Sequence, residues 1–409
     1  MVPKGVDVTE FKRRYRTRSE GDFPQELVLR LRKEWDLKYG ENPNQQGAIY
    51  VLAGVAEYNT SRIAELTNIQ SVRADGKGKG GLSLNNMLDI TRAMDNLKWF
   101  SQPAVVIQKH TIDAGVAVQR DLTQTQRDLF RLARDADRRS TFGGTAAFNR
   151  PLTKETAETL YERYAPRESG HWFVDVIAAP GYEEGVVWYI QSKASDVRIA
   201  EFSHLEALPR FQGDDTKGLI SIKEMPGGRV GIQDLYLTSI IGAGDFLDHP
   251  YVTREGGRIK VERAPTASEK EDLLMAWYLN ISGARSNGVV FVRDGVTVAI
   301  GSGQVERVGA VEQAIVKGMQ KAMDREGIIY DPLMGIAGYE QLKNQPFQGA
   351  VCSSDGFFPF DDSLKLLVRV GVTAAVQPFG SQNDDVVIKG ANLYKVAMVA
   401  TGERCFGHF

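Results

Sequence analysis

The chain has 409 residues, 42% of them hydrophobic and 25% charged, the balance of a folded protein too long for one comfortable core. Fifty basic residues against 52 acidic ones leave a formal charge of -2, which argues against a general nucleic-acid or membrane-surface binder. Two cysteines exclude a disulfide framework or a four-thiolate zinc site, and no apolar run nears the ~20 residues of a membrane span.

From the start of the chain, residues 1–25 read as a charged arm broken by Pro3 and Pro24, with no signal-peptide core. The basic patch from Lys12 to Arg16 reads as solvated. Two reduced thiols, Cys352 and Cys405, fit a cytoplasmic protein. The run Gly76-Lys77-Gly78-Lys79-Gly80-Gly81 is either a phosphate loop or a glycine-rich turn. It lacks the spacing and the terminal Lys-Ser/Thr of a P-loop. Short β-branched runs predict buried strands at Ala104 to Ile107 and Val186 to Ile190. Lys109-His110 follows the first of these. The pair reads as a surface loop or as a strand-end site offering a base and a cation.

The strand-rich regions 26–205 and 206–409 each promise a layered core, with a boundary near Glu206 and no repeat visible between them. Phe211 to Arg254 predicts irregular structure and short strands. Further strands are expected at Gly288 to Val292, Val296 to Ile300, Val372 to Val376 and Val396 to Val399. Gly301-Ser302-Gly303-Gln304 suits a strand-to-helix turn with exposed amides. One helical face carries Val311, Ala314, Ile315, Met319, Ala322 and Met323, with a stop at Gly327. Another helix starts at Asp361 or Asp362, buries Leu364, Leu367 and Val368, and stops at Gly371. Alternating strands and helices predict an α/β fold. The tail Arg404-Cys405-Phe406-Gly407-His408-Phe409 either frays or docks to give a nucleotide a cation and a ring. No His-x-Glu with Pro-Cys-x-x-Cys occurs, and the histidines at 110, 171, 204, 249 and 408 show no metal-ligand spacing, so no metal is expected.

An ordered series of segments resembles the transformylase half of the bifunctional purine-biosynthesis enzyme that also carries IMP cyclohydrolase. It begins with Leu37-Lys38-Tyr39-Gly40-Glu41-Asn42-Pro43-Asn44-Gln45 and continues through Gly81 to Asp89, Lys109-His110, Phe142-Gly143-Gly144, Ala147 to Leu152 and Ala179 to Glu184. The densest stretch runs from Ser286-Asn287 through Gly301-Ser302-Gly303-Gln304 to Arg307-Val308. Ser354-Asp355-Gly356-Phe357-Phe358-Pro359-Phe360, Gln377-Pro378, Gly380-Ser381 and Thr401 to His408 complete it. Nothing comparable to the cyclohydrolase half precedes residue 30, so a free-standing transformylase is expected, with a separate cyclohydrolase closing the ring.

The resemblance implies two cytidine-deaminase-like three-layer units without zinc, in a homodimer whose sites draw on both subunits. It implies formyl transfer from 10-formyltetrahydrofolate, a reduced folate, to AICAR. Lys109, His110 and Asn287 would be catalytic. Lys38, Tyr39, Asn86, Asp175, Lys193, Phe357, Arg404, Phe406 and His408 would bind the nucleotide. Phe142, Arg307, Val308, Pro359 and Asp362 would bind the folate. Three departures stand out. The family's Lys-His-x-x-Pro-Cys-Gly is Lys109-His110-Thr111-Ile112-Asp113-Ala114-Gly115 here. Lys38 replaces an arginine, and Ser282 a lysine. Two other readings are a non-catalytic nucleotide-binding protein on the same fold and a formyltransferase with a different donor.

Overall fold

The computed structural model describes residues 5–14, 23–53, 62–66, 81–162, 172–194, 196–216, 218–329, 333 and 337–408. His171, residues 15 and 16 of the basic patch, and residues 76–80 of the glycine-rich run lie outside them. A short helix, α1 (Phe11–Arg14), is followed by the hairpin β1 (Leu31–Asp36) and β2 (Ala48–Leu52), and by β3 (Ile63–Glu65). Val8 and Phe11 are buried, and the Val8 amide donates to the Tyr251 carbonyl. The arm is therefore anchored by its apolar residues, while Arg13 and Arg14 remain exposed.

The next nine elements are α2 (Leu84–Leu97), β4 (Ala104–Lys109), β5 (Ile112–Val118), α3 (Gln126–Ala136), β6 (Thr145–Phe148), α4 (Lys154–Thr159), β7 (Val176–Ala179), α5 (Val186–Lys193) and β8 (Arg198–Phe202). Two hairpins intervene: β9 (Ser221–Met225) with β10 (Arg229–Gln233), then β11 (Tyr251–Arg254) with β12 (Gly257–Lys260). The nine-element order then returns. It runs α6 (Ala267–Gly283), β13 (Val289–Arg293), β14 (Val296–Gly301), α7 (Arg307–Glu326), β15 (Val351–Ser354), α8 (Asp362–Val370), β16 (Ala374–Gln377), α9 (Asp384–Leu393) and β17 (Ala397–Ala400).

Pairing repeats as well. In each set a hairpin strand pairs antiparallel with the third strand, and the third, fourth and fifth strands run parallel. The two sets meet where β14 pairs antiparallel with β5 at Val296 and Ala117, giving one eleven-stranded sheet in the order β17-β16-β15-β13-β14-β5-β4-β6-β7-β8-β3. The chain thus contains an internal repeat that the sequence does not show, because topology survives substitutions that erase residue identity.

Helices cover both faces. Val106 and Val116 pack with α2 and α6 in one core, whereas Val105 and Ile107 pack with α3, α4 and α5 in another. Neighbouring strand residues thus point to opposite faces, and both faces are dry, which makes the strands read as continuous apolar runs. On the second face α7, α8 and α9 enclose a third core with Phe291, Phe358 and Phe379.

Val186 to Ile190 corrects one expectation: it is the start of α5, not a strand. Only Val186 and Ile190 of that run are buried, four residues apart, while Trp188 is 74% exposed. An apolar run this short has no period of its own, and burial at i and i+4 selects the helix. The helices expected near 311–323 and 362–370 both form, and both end in left-handed glycines, Gly327 and Gly371.

Gly115 shows how tightly α3 sits on the sheet. A Cβ there would lie 1.9 Å from the Ala133 carbonyl oxygen. Backbone cannot yield as a side chain can, so Gly115→Ala should lose about 1–3 kcal/mol in urea unfolding. An unchanged midpoint would show that α3 is free to move away.

Candidate active site

The hairpin joining β4 to β5 is closed by Lys109 opposite Ile112, leaving His110 and Thr111 as a two-residue turn. Both are left-handed, with φ of 54° and 61°. That is the form twisted hairpins prefer, but it suits Asn and Gly rather than a β-branched residue. The turn is tied down on one side by Asp89 of α2, whose Oδ1 accepts from the Thr111 amide at 2.7 Å. On the other side Arg285 Nη2 donates to Thr111 Oγ1 at 3.1 Å. Lys109 Nζ donates to the Phe142 carbonyl at 2.7 Å, and the imidazole of His110 is exposed.

Around this turn the start of α2 gathers several predicted residues. Ser83 caps the helix in a box with Asn86, and the Leu84 amide donates to the Tyr39 carbonyl. The Lys38 amide donates to the Leu82 carbonyl, and its ammonium lies 5.3 Å from the Tyr39 ring centre. Asn86 Nδ2 donates to Asp175 Oδ2 at 2.9 Å, and Asp175 is held by Arg198 at 3.0 Å. Lys38, Tyr39, Asn86, Asp175, Phe142, Lys109 and His110 thus form one group. Lys193 makes a different contact. It ends α5 with its ammonium over the Tyr189 ring, 5.6 Å away.

A second group forms where the chain enters β13. The Ser286–Asn287 peptide is cis. Asn287 donates to the Gln304 carbonyl through its backbone amide at 3.0 Å and its side chain at 2.9 Å. Arg307, buried at the start of α7, bonds the Gly288 carbonyl and the fully buried Asp355. Asp355 also accepts from Ser286 Oγ at 2.5 Å, and its carbonyl accepts from the Cys405 amide.

The tail therefore docks. Ser286 and Gly407 exchange two hydrogen bonds, the Arg404 guanidinium lies 4.7 Å from the Phe406 ring centre, and the Phe406 and His408 rings are 6.2 Å apart. Gly356 permits this packing, since a Cβ there would lie 2.6 Å from both Arg307 and Phe406. Phe357 and Val308 are half-buried nearby. Pro359 accepts at its carbonyl from Asn383, and Asp362 opens α8.

Each predicted set is thus divided on one chain. Lys109 and His110 sit in the first group and Asn287 in the second. The nucleotide set splits between Lys38, Tyr39, Asn86 and Asp175 on one side and Phe357, Arg404, Phe406 and His408 on the other. Phe142 stands apart from Arg307, Val308, Pro359 and Asp362. Arg285 joins the groups: besides Thr111, its amide bonds Ser302 Oγ at 2.7 Å and its carbonyl accepts from Gly303. The Ser302 and Gly303 amides are consequently occupied, by Gln313 and Arg285, rather than exposed to a ligand.

Comparison with known proteins bears on what this pair of groups is for. The family described as AICARFT/IMPCHase bienzyme matches residues 8–317. The chain belongs to that family. Bifunctional purine biosynthesis protein PurH of Persephonella marina is 32% identical over 388 residues, covering 94% of this chain and 62% of that protein. The proteins of the same name from Anaeromyxobacter dehalogenans and Sorangium cellulosum are each 33% identical over 386 residues, 94% of this chain and 62% and 61% of theirs. The chain spans about 62% of the length of the first of these relatives.

For this AICARFT/IMPCHase family member, sequence reasoning gave no role to the groups that brace these residues: Asp89, Arg285, Ser286, Asp355 and Arg198. Most lie inside or beside matched segments, but a supporting contact made across 20 or more residues leaves no local signature. Ser282, the position at which the resemblance leads one to expect a lysine, is buried and accepts from Trp99 Nε1 at 2.8 Å, so it serves the core between α2 and α6. Among the described residues no group of three or more His, Cys, Asp or Glu is placed to hold a metal. No described helix is long and apolar enough to cross a membrane.

Beneath the His110 turn, Asp113 is buried between the sheet and α2, and its pKa is pushed up to about 7 by burial, offset in part by Arg92. Its Oδ1 accepts from Asn96 at 2.8 Å, while its Oδ2 and Asn96 Oδ1 have no donor. A carboxyl bound more tightly to its proton in the folded state than at ~3.9 unfolded makes stability fall as pH rises between those values, by up to about 4 kcal/mol. Asp113→Asn removes the titration and can donate to Asn96 Oδ1. It should flatten the stability profile between about pH 4 and 7 and exceed the parent above it. Urea midpoints across that range check this, and parallel profiles for the two proteins would refute it.

Proposed function

We propose that this chain transfers a formyl group from 10-formyltetrahydrofolate to AICAR, giving FAICAR and tetrahydrofolate in purine biosynthesis. The observation that carries the reading is the His110-Thr111 turn beside Lys109, held in a left-handed conformation and linked through Arg285 to the Asn287 loop. AICAR's exocyclic amine is a poor nucleophile because the adjacent carboxamide withdraws its electrons. Its attack on the formyl carbon needs a base, close positioning and support for the oxyanion. His110 takes the amine proton as the new C–N bond forms, Lys109 supports the formyl oxygen, and Asn287 orients the reacting groups. Collapse of the tetrahedral species breaks the bond to the folate nitrogen, which leaves with a proton.

Lys38 and Arg404 would meet the phosphate, with Tyr39, Phe357, Phe406 and His408 around the base and Asn86 and Asp175 beside it. Lys193 is the outlying phosphate candidate. Val308, Pro359, Asp362 and Phe142 would line the folate, with Arg307, buried against Asp355 and the Gly288 carbonyl, shaping that wall from behind. A homodimer whose sites draw on both subunits is part of the same reading, as the family resemblance implies. The repeated nine-element order supports two cytidine-deaminase-like units without zinc, divided near residue 206. Ring closure would fall to a cyclohydrolase acting on the product, and the cytoplasm is the compartment this chemistry implies.

Tetrahydrofolate release from 10-formyltetrahydrofolate, measured with and without AICAR, tests the reading. AICAR-dependent turnover is expected. Saturable AICAR binding without turnover by the assembled protein would move the reading to a nucleotide-binding protein. Turnover with another formyl donor would redefine the co-substrate.

A further inference from the structure

The two halves of the sheet contain the same hairpin twice, and only one copy carries the proposed chemistry. In the second, Arg293 opposes Val296 and the turn is Asp294-Gly295, with φ of 53° and 74°. Asp-Gly adopts such a turn readily, whereas His110-Thr111 adopts it against the preference of a β-branched side chain. Both turns are held in the same way. Asp272 is the sixth residue of α6, and its carboxylate accepts from the Asp294 and Gly295 amides at 2.7 and 2.9 Å. Asp89 is the sixth residue of α2, and the amides of Thr111 and His110 both bond its carboxylate.

The difference lies in need. Asp294-Gly295 would form without help, so Asp272 adds stability to a turn already favoured. His110-Thr111 depends on its holder, because unsupported left-handed Thr relaxes to an extended or right-handed backbone and carries the neighbouring imidazole with it. Arg285, bonded to Thr111 Oγ1, braces the side chain, but a guanidinium has no acceptor to offer the two amides. We propose that Asp89 is a positioning residue for formyl transfer, holding the His110–Thr111 turn in the backbone conformation that aims the imidazole at the amine. This rests on the formyl-transfer reading.

The test compares Asp89→Ala, Asp272→Asn and the double variant Asp89→Ala/Thr111→Gly in the full chain. Each is assayed for kcat, KM for AICAR, melting temperature and amide hydrogen exchange at residues 110 and 111. Asp89→Ala should lower kcat by up to about 10²-fold, the scale of a misplaced catalytic group, and speed exchange at both amides. KM for AICAR should stay within about threefold, since a positioning loss falls on the reacting state. Asp272→Asn should lower the melting temperature while keeping kcat within about twofold of the parent, because its turn is remote from the chemistry. Glycine accepts the left-handed backbone without a holder, so the double variant should recover most of the lost kcat.

Parent-like kcat in Asp89→Ala overturns the proposal. So does a kcat loss that Thr111→Gly leaves untouched, or an equal loss in Asp272→Asn, which would mark a general destabilisation. A parent without AICAR-dependent turnover removes the formyl-transfer reading itself, an outcome distinct from an active parent indifferent to Asp89.

Discussion

His110→Ala is expected to reduce AICAR formylation by about 10²–10⁴-fold while leaving the melting temperature unchanged, the usual worth of a positioned general base. The two halves of that expectation have separate causes. The imidazole is exposed at the tip of a hairpin, so removing it opens no cavity and breaks no core contact. Catalytically, Thr111, the other residue of the turn, offers no group that can take up the amine proton. Lys109→Ala should follow at about 10²–10³-fold, the range for losing one oxyanion donor. Its ammonium donates to the Phe142 carbonyl at an exposed position, so the fold should again survive. Steady-state kcat and KM, with thermal unfolding of each variant, check both. A His110→Ala enzyme within tenfold of the parent would assign the base elsewhere.

Asp355→Ala should be the most destabilising single change in the site, at about 3–5 kcal/mol, the cost of leaving a buried ionic partner unpaired. Asp355 and Arg307 have side chains only 1% and 7% exposed, and the pair is completed by Ser286 Oγ and the Gly288 carbonyl. Removing the carboxylate strands the guanidinium away from water. It also takes the acceptor from Ser286, the residue that grips the tail at Gly407. Such a loss is a large part of the ~5–15 kcal/mol by which domains are stable. Urea unfolding at constant m-value gives the energy, and proteolysis of the tail reports its release. A loss under about 1 kcal/mol would mean that Arg307 finds other partners or water.

The proposed chemistry and its supports differ in how visibly they are written. Lys109, His110, Asn287 and the aromatic tail stand in compact motifs, because groups that meet a ligand are drawn from a few loops with restricted composition. Asp89 and Asp355 are ordinary acids in sequence, and they acquire meaning only when a turn or a tail folds against them. The shared position of Asp89 in α2 and Asp272 in α6 was a readable signal, but reading it required knowing that the chain repeats.

By itself the sequence determined the α/β class, five of the six strands expected from apolar runs and the stops of α7 and α8, because apolar periodicity and helix-ending glycines are local properties. It also determined family membership, since many short motifs in order outlast the divergence between them. Only the tertiary structure decided that Val186 to Ile190 is helical, since burial on one side rather than both chooses between helix and strand. It alone decided that the two halves share one sheet through Val296 and Ala117, and that the tail docks rather than frays. Those outcomes depend on contacts between residues far apart in the chain, and no local preference encodes a long-range contact.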